Sequence, residues 1–114
     1  MEDRFLQQLK KGVLEMLVLE AVCEGPTYGY ALLTDLKERT NGYFSLKEGT
    51  LYPILYRLED DGLITSSWSE PQGRSAPKKM YIVTEAGRSN CRERWKIWQD
   101  FSCTVNSFNR KGSE

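Results

Sequence analysis

Cysteine is the most reactive residue type in this chain, which contains three cysteines and no histidine. Cys23, Cys91 and Cys103 lack C-x-x-C spacing, and without imidazole they do not complete a zinc-binding set. A nucleophilic cysteine would also need a neighbouring base to lower its pKa. If Cys91 and Cys103 share a helix, they lie about 18 Å apart, too far for a disulfide bond. We therefore predict reduced, mostly buried thiols, no metal site, no cofactor and no catalytic residue.

A run of carboxylates, Glu59, Asp60 and Asp61, is the next candidate for chemistry. Consecutive helical residues point about 100° apart, so these side chains do not form a general acid and base pair. Negative charge at the C-terminal end of a helix also opposes the helix dipole. The run is interpreted as a solvated helix end, and an enzyme is not predicted.

Positive charge is concentrated locally, although 16 Lys and Arg residues balance 16 Asp and Glu residues. Between Glu70 and Glu85 the charged residues are Arg74, Lys78 and Lys79. Such a basic patch is typical either of a solvated hairpin tip or of a surface that contacts nucleic acid. Charge alone does not choose between the two.

The length of 114 residues indicates one domain, near the size at which oligomerisation often supplies additional burial. Hydrophobic residues make up 39% and charged residues 28%, as in a folded globular protein. The start, MEDRFLQQLKK, does not resemble a signal peptide, and no apolar run reaches the roughly 18 to 20 residues that span a bilayer. We predict a cytoplasmic protein with no membrane partner.

Hydrophobic residues at helical spacing predict two helices at the start of the chain. The first runs from Phe5 to Val22, is apolar nearly all round, and stops at the sequence EGP. Thr27 is expected to cap the second helix, YGYALLTDLKERT. The Asn-Gly pair that follows is also a hairpin signal, but the preceding helical pattern favours a helix end.

A third helix is predicted in SLKEGTLYPILYRLEDDGLI. Ser45 and Glu48 fit the S-x-x-E capping box, in which each side chain binds a backbone N–H of the other residue. Pro53 is unusual, because inside a helix it removes the hydrogen bond to the Gly49 carbonyl and costs about 3 kcal/mol. Either the helix kinks there, or Thr50 is the true cap and Pro53 lies in the first turn.

The two faces of the third helix differ in character. At 100° per residue one face is apolar, with Leu51, Ile54, Leu55 and Leu58. The opposite side carries Gly49, Pro53, Tyr56 and Asp60, flanked by Thr50, Tyr52 and Arg57. This side is typical either of plain solvent exposure or of a surface that meets a DNA duplex, where hydroxyls reach phosphates and arginine adds charge.

A hairpin and a fourth helix are predicted after Gly62, which is expected to end the third helix. The β-prone runs LITSSWS and KKMYIVT flank the turn-rich EPQGRSAP, which indicates an antiparallel hairpin with a long tip. Thr84 is expected to cap the last helix, with Glu85 in its first turn. An apolar stripe lies along one side of that helix and consists of Cys91, Trp95, Trp98, Phe101, Val105 and Phe108.

Three helices, a hairpin and a fourth helix are the order of a winged helix-turn-helix, in which the third helix enters the major groove of DNA. The predicted fold class is therefore mainly α with a small β-hairpin. We expect a winged helix-turn-helix domain in 1–84, a C-terminal dimerisation helix in 85–109 and a flexible tail in 110–114. The carboxylate run would repel phosphate, so the N-terminal half of the third helix is the part expected to approach DNA.

Three segments, GVLEMLVLEAVCEGPTYGYALLTDL, EGTLYPILYRLEDDGLI and KKMYIVTEAGR, are similar in order and spacing to the PadR-type transcriptional regulators, in particular their short form with a single C-terminal helix. The resemblance covers about Gly12 to Trp98. It implies a homodimeric repressor that recognises DNA with the helix containing TLYP and dimerises through the last helix. Ser75, Ala76 and Pro77 depart from the family pattern, in which the wing usually runs from glycine and arginine straight into a basic strand.

A ligand site is also implied by this resemblance. Some short members of the family carry a tryptophan on the last helix, where aromatic residues paired across the dimer hold flat hydrophobic ligands. Trp98 matches that position and Trp95 lies one turn earlier, so a small hydrophobic or planar aromatic effector is expected at Trp95, Trp98 and Phe101. From the residues alone, ordinary dimer packing explains the same stripe.

The predicted function is a sequence-specific transcriptional regulator that binds double-stranded DNA, a ligand-responsive repressor acting as a homodimer on a pseudo-palindromic operator. The alternative is a winged-helix module that binds another protein. The residues predicted to bind DNA are Tyr28, Lys47, Gly49, Thr50, Tyr52, Tyr56, Arg57, Arg74, Lys78 and Lys79. The predicted dimer contacts are Cys91, Trp95, Trp98, Phe101, Val105 and Phe108.

Overall fold

A computed structural model of the chain describes residues 3–71 and 73–109, so the predicted tail at 110–114 lies outside the described residues. The elements in chain order are α1 (Arg4–Cys23), β1 (Thr27–Tyr28), α2 (Gly29–Arg39), α3 (Glu48–Asp60), β2 (Ile64–Trp68), β3 (Lys79–Val83) and α4 (Glu85–Phe108). The fold is mainly helical with a small sheet, as predicted. No helix in the described ranges is long and apolar enough to cross a membrane.

The sheet is antiparallel with the strand order β1-β3-β2. The predicted hairpin is confirmed, with Trp68 opposite Lys79 in its register. The third strand, β1, was not predicted: Thr27 pairs with Tyr81 instead of capping α2. Tyr28 precedes the helix, and no described side chain caps it. The expected Thr27 cap is wrong because its backbone is extended and bonded to β3, a partner distant in sequence.

The core lies where α1, α2, α3 and the sheet meet. The apolar face predicted for α3 is confirmed, since Leu51, Ile54, Leu55 and Leu58 are all buried. Among the fully buried side chains, Tyr81 of β3 is the largest in the described part of the chain. Gly49, Thr50, Pro53, Tyr56 and Asp60 on the other side of α3 are exposed.

Two predicted helix ends are confirmed by their backbone hydrogen bonds. Gly62 has a φ of 76°, and its N–H donates to the Glu59 carbonyl at 3.0 Å while the Leu63 N–H donates to the Leu58 carbonyl at 3.0 Å. This is the Schellman arrangement, which glycine favours because it adopts a positive φ without strain. The end of α2 is similar, since the Gly42 N–H donates to the Lys37 carbonyl at 2.8 Å.

The predicted start of α3 is wrong. The helix begins at Glu48 after Lys47, and no described side chain caps it, so Ser45 and Glu48 do not form a capping box. Thr50 is not the cap either, and Pro53 lies in the helix interior. Contacts of Leu46 with the core orient the chain before α3, which local capping patterns do not reveal.

The start of α4 is as predicted. Thr84 Oγ1 accepts a hydrogen bond from the Gly87 N–H at 3.0 Å, and the Thr84 N–H donates to the Leu63 carbonyl at 3.0 Å. The cap therefore fixes α4 to the end of α3 as well as starting the helix. From there α4 packs along α1.

Candidate nucleic-acid interface

Five of the predicted DNA-binding residues, Tyr28, Tyr52, Tyr56, Lys78 and Lys79, line one groove of about 660 Å³. It lies between the start of α2, the helix α3 and the hairpin. We call it the aromatic groove, because its lining includes the rings of Tyr28, Tyr30, Tyr52, Tyr56, Trp68 and Tyr81. Sequence reasoning thus selected residues from three separate segments that the fold brings together.

The positive charge of the hairpin lies over these rings. The Lys79 ammonium is within cation–π range of three ring centroids, at 5.5 Å for Tyr56, 5.9 Å for Tyr81 and 6.0 Å for Trp68. The Lys78 ammonium lies 6.0 Å from the ring centroid of Tyr28. Both cations are therefore held at the surface of the groove, where an anionic ligand would meet them.

Gly29 allows Tyr52 to pack against the start of α2. A Cβ atom at this position would overlap the Tyr52 hydroxyl, so no larger residue fits unless the ring moves. Gly29 is buried and also lines the groove. The glycine thus sets the distance between α2 and α3 at the wall of the groove.

Tyr81 forms the buried part of the groove. Its side chain has no exposed surface, and its hydroxyl has no hydrogen-bond partner among the described residues. Burial, with a smaller contribution from nearby Tyr52, raises the pKa of Tyr81 to about 12. The hydroxyl therefore stays protonated at neutral pH and is available as a donor.

The first turn of α3 forms a second part of the predicted interface, outside the aromatic groove. Lys47, Gly49 and Thr50 are all exposed there. Because no described side chain caps this end, its first N–H groups are not bound by a cap. The positive end of the helix dipole and the Lys47 charge both favour an approaching phosphate.

Arg57 does not face the groove. Its Nε lies 3.4 Å from Glu15 Oε1 on α1, and the other oxygen of Glu15 lies 3.2 Å from Arg94 Nη1 on α4. One carboxylate thus bridges arginines from α3 and α4. Neither Glu15 nor Arg94 was predicted from the sequence, since their pairing depends on how three helices cross.

The hairpin tip carries the remaining predicted residue, Arg74, which is exposed and lies outside the groove. The three residues that depart from the family pattern lie nearer the site. Pro77 lines the groove, and Ser75 and Ala76 line a smaller hollow of about 220 Å³ beside Tyr28.

A second groove of about 450 Å³ lies between α1 and α4 and includes Trp98, Phe101 and Ile97 of α4 and Leu9 of α1. Trp95 does not share it: its indole Nε1 donates to Glu20 Oε1 at 2.9 Å on another side of α4. Within one protomer, the predicted ligand residues therefore separate into Trp98 and Phe101 in the groove and Trp95 outside it.

The predicted dimer stripe is also divided by the structure. Cys91 is buried in the protomer's own core, whereas Trp95 packs against that core and stays partly exposed. The remaining members are exposed: Trp98, Phe101, Val105 and Phe108. Of the cysteines, Cys103 is exposed, which corrects the expectation of buried thiols there, and all three thiols are free.

Comparison with known proteins decides the family. The sequence pattern of the Transcriptional regulator PadR-like family matches residues 18–93. The chain belongs to this family. A padr family transcriptional regulator from Eggerthella lenta has a solved structure that is 34% identical, with a TM-score of 0.82 over 94% of this chain and 90% of that one. A PadR-like transcriptional regulator from Bacillus cereus is 32% identical, with a TM-score of 0.75 over 89% of this chain and 95% of that one.

A curated relative, the Negative transcriptional regulator PadR of Bacillus subtilis, is 33% identical over 75% of this chain, which spans 46% of that protein. Members of the PadR-like family are DNA-binding transcriptional regulators and not enzymes. The predicted fold, family and general function of this PadR-like protein are therefore confirmed.

Several residues of this PadR-like site were missed by sequence reasoning, namely Gly29, Tyr30, Trp68 and Tyr81. A signal existed for two of them. In the predicted hairpin Trp68 lies opposite Lys79, and Tyr81 shares a side of β3 with Lys79 because side chains alternate along a strand. The register of the hairpin would have placed both next to the predicted basic residues.

Proposed function

We propose that this regulator is a homodimeric repressor that acts in the cytoplasm on a pseudo-palindromic operator. In this proposal the N-terminal half of α3 enters the major groove and the hairpin contacts the flanking backbone. One observation carries it: one face of α3 is buried in the core, while Gly49, Thr50, Pro53 and Tyr56 on the other side are exposed. Tyr56 also lines the aromatic groove together with the two hairpin lysines.

A second copy of the chain is the proposed cover for the apolar surface of α1 and α4. Phe101 is 60% exposed, Phe108 80% and Phe5 65%, which is a large apolar area for a protomer in water. A two-fold dimer through this surface would hold two α3 helices about 34 Å apart, so that they meet successive major grooves. Dimer formation and operator symmetry are thus parts of one proposal.

The groove beside Trp98 and Phe101 is the proposed effector site. Apolar walls from α1 and α4 and a volume of about 450 Å³ suit a small hydrophobic or planar aromatic molecule. Binding there would shift α4 of one protomer relative to its partner and change the spacing of the α3 helices. It releases DNA only if the effector prefers the geometry that does not fit the operator.

Selection of bound sites from a random duplex pool tests the DNA-reading part. We expect enriched sequences with two inverted half-sites whose centres are about 10 base pairs apart. A variant with Lys47→Ala and Thr50→Ala should lose this enrichment, whereas Lys37→Ala, an exposed change in the last turn of α2, should keep it. Enrichment of a single unsymmetrical motif would contradict recognition of the operator by a symmetric dimer.

A fluorescence titration tests the effector part. Planar aromatic and lipophilic compounds from a broad panel should quench tryptophan emission, and Trp98→Phe should remove most of that quenching. Trp95→Phe is the matched control, because Trp95 lies outside the groove. If no compound quenches the wild-type protein, the stripe serves packing alone.

A further inference from the structure

The aromatic groove contains a hydrogen-bond donor with nothing to donate to. The Tyr81 hydroxyl is fully buried and without a partner among the described residues. Native proteins pair nearly all such groups, so an unpaired one at the wall of a groove indicates a missing acceptor. A ligand that reaches this wall would supply it.

The outer walls of the groove are flat rings that remain in contact with water. Trp68 is 68% exposed and Tyr56 is 54% exposed, on the hairpin and on α3 respectively. Exposed aromatic rings beside a groove are the usual platform for unpaired bases, because every base offers a flat face that stacks on a ring. Ordinary solvent exposure would not require these rings to share one cavity.

The charge of the groove selects an anion. Lys78 and Lys79 belong to its lining, and no carboxylate does among the described residues. The Lys78 ammonium lies 6.0 Å from the ring centroid of Tyr28, and the Lys79 ammonium lies 6.0 Å from that of Trp68; both rings line the groove. A ligand that combines a planar base with a phosphate would therefore contact rings and cations together.

We propose that the aromatic groove binds an unpaired nucleotide, with its base on the rings of Trp68 and Tyr56, its phosphate at Lys78 and Lys79, and the Tyr81 hydroxyl as a donor to the base. The volume of about 660 Å³ is in the range of small-molecule sites. The source is either a free mononucleotide or a nucleotide within a single strand. The proposal uses part of the proposed DNA interface but does not require duplex reading to be correct.

A regulatory consequence follows from the overlap of the two surfaces. Bases of an intact duplex are stacked inside the helix and do not reach such a groove. Because the groove also contains Tyr28, Tyr52 and Tyr56, which are proposed to contact duplex DNA, an unpaired nucleotide and the operator would compete. Nucleotide binding would thus act at the reading surface, separately from any effector between α1 and α4.

Calorimetric titration of the full chain tests the proposal. Adenosine 5′-monophosphate and a deoxyadenylate pentamer are the two probes, and the one that binds at least tenfold more tightly identifies the source. Inorganic phosphate and adenosine are the controls, and both should bind more weakly than the nucleotide. The proposal would be overturned if inorganic phosphate bound with the same affinity as both probes, or if neither probe bound.

Three variants locate the binding. Trp68→Ala should weaken nucleotide binding about tenfold, as expected for loss of one stacking ring. Tyr43→Ala is the matched control, because Tyr43 is exposed but does not line the groove. Tyr81→Phe should weaken nucleotide binding and at the same time raise the melting temperature, because it removes an unpaired buried hydroxyl.

These opposite effects of Tyr81→Phe separate a binding role from damage to the fold. An unchanged nucleotide affinity in Tyr81→Phe or in Trp68→Ala would overturn the proposal. Duplex selection with the wild-type protein separates the two hypotheses. If the protein enriches an operator but binds neither probe, only the nucleotide site fails; if it binds a nucleotide without enriching an operator, only duplex reading fails.

Discussion

The indole Nε1 of Trp95 donates a hydrogen bond to Glu20 Oε1 at 2.9 Å, and the Cys91 thiol donates to the same oxygen at 3.3 Å. This carboxylate oxygen joins α4 to α1. We expect Glu20→Ala to lower the free energy of unfolding by about 1–3 kcal/mol, because the half-buried indole N–H loses its acceptor. Chemical denaturation measures the change. Glu38→Ala, at an exposed position of α2, should alter stability by less than about 0.5 kcal/mol.

Gly87 approaches the Leu63 carbonyl so closely that a Cβ atom would collide with it and with the Val83 side chain. Gly87→Ala should therefore lower stability by about 1–3 kcal/mol, as overpacking does, although alanine favours helices. Gly12→Ala is the matched control, since no described atom outside the adjoining helix backbone lies within 4 Å of a Cβ there. It should raise the melting temperature. Equal effects at the two glycines would contradict the close approach of α4 to Leu63.

Alkaline pH should destabilise the protein through Cys91. Burial, together with hydrogen bonds to Cys23 and Glu20, raises the pKa of the Cys91 thiol from 9.0 to about 12. Above pH 9 the unfolded chain releases this proton and the folded protein keeps it, so stability falls as the pH rises from about 9 to about 12. The slope reaches up to about 1.4 kcal/mol per pH unit.

Urea denaturation at several pH values measures this loss. Cys91→Ala lowers stability at every pH because it leaves a cavity, but its stability should fall less steeply above pH 9 than that of the wild type. Cys103→Ala, at an exposed thiol, should keep the wild-type slope. Parallel pH profiles for the wild type and Cys91→Ala would argue against a protonated buried thiol.

Arg74 at the hairpin tip is expected to contact the DNA backbone. Arg74→Ala should weaken binding by a similar factor on every duplex, because phosphate contacts carry no sequence information directly. It should also reduce the slope of log K against log salt by about 1. Fluorescence anisotropy at several salt concentrations gives both quantities, with Arg92→Ala on α4 as the control. An unchanged slope would exclude a wing contact by Arg74.

Phe101 is expected to lie in the dimer interface. Phe101→Glu should convert the protein to a monomer at micromolar concentration, because burying an unpaired carboxylate in the interface costs desolvation free energy. Analytical ultracentrifugation measures the mass. Tyr43→Glu introduces the same charge at an exposed position of the α2–α3 loop and should remain a dimer. If the wild-type protein is already a monomer, the proposed dimer interface is wrong.

Helix ends were predictable where their chemistry is local. Thr84 and Gly62 bond to backbone groups within a few residues, or require only a positive φ, so their residue types identify them directly. The same reasoning failed at Ser45, where Leu46 anchors the chain to the core and moves the start of α3 to Glu48. At this position, packing against residues distant in sequence overrides a favourable local capping pattern.

The sequence by itself determined the order of the four helices and the hairpin, the buried face of α3 and the basic charge of the hairpin, because periodicity and turn residues act between near neighbours. Tertiary structure decided which side chains meet. Trp95 and Trp98 are one turn apart in the same stripe, yet one binds Glu20 and the other faces the groove beside α1. Tyr81 gains its unpaired hydroxyl only when β3 pairs with β1 and β2 and packs against α1, because burial is a property of the assembled fold and not of any single segment.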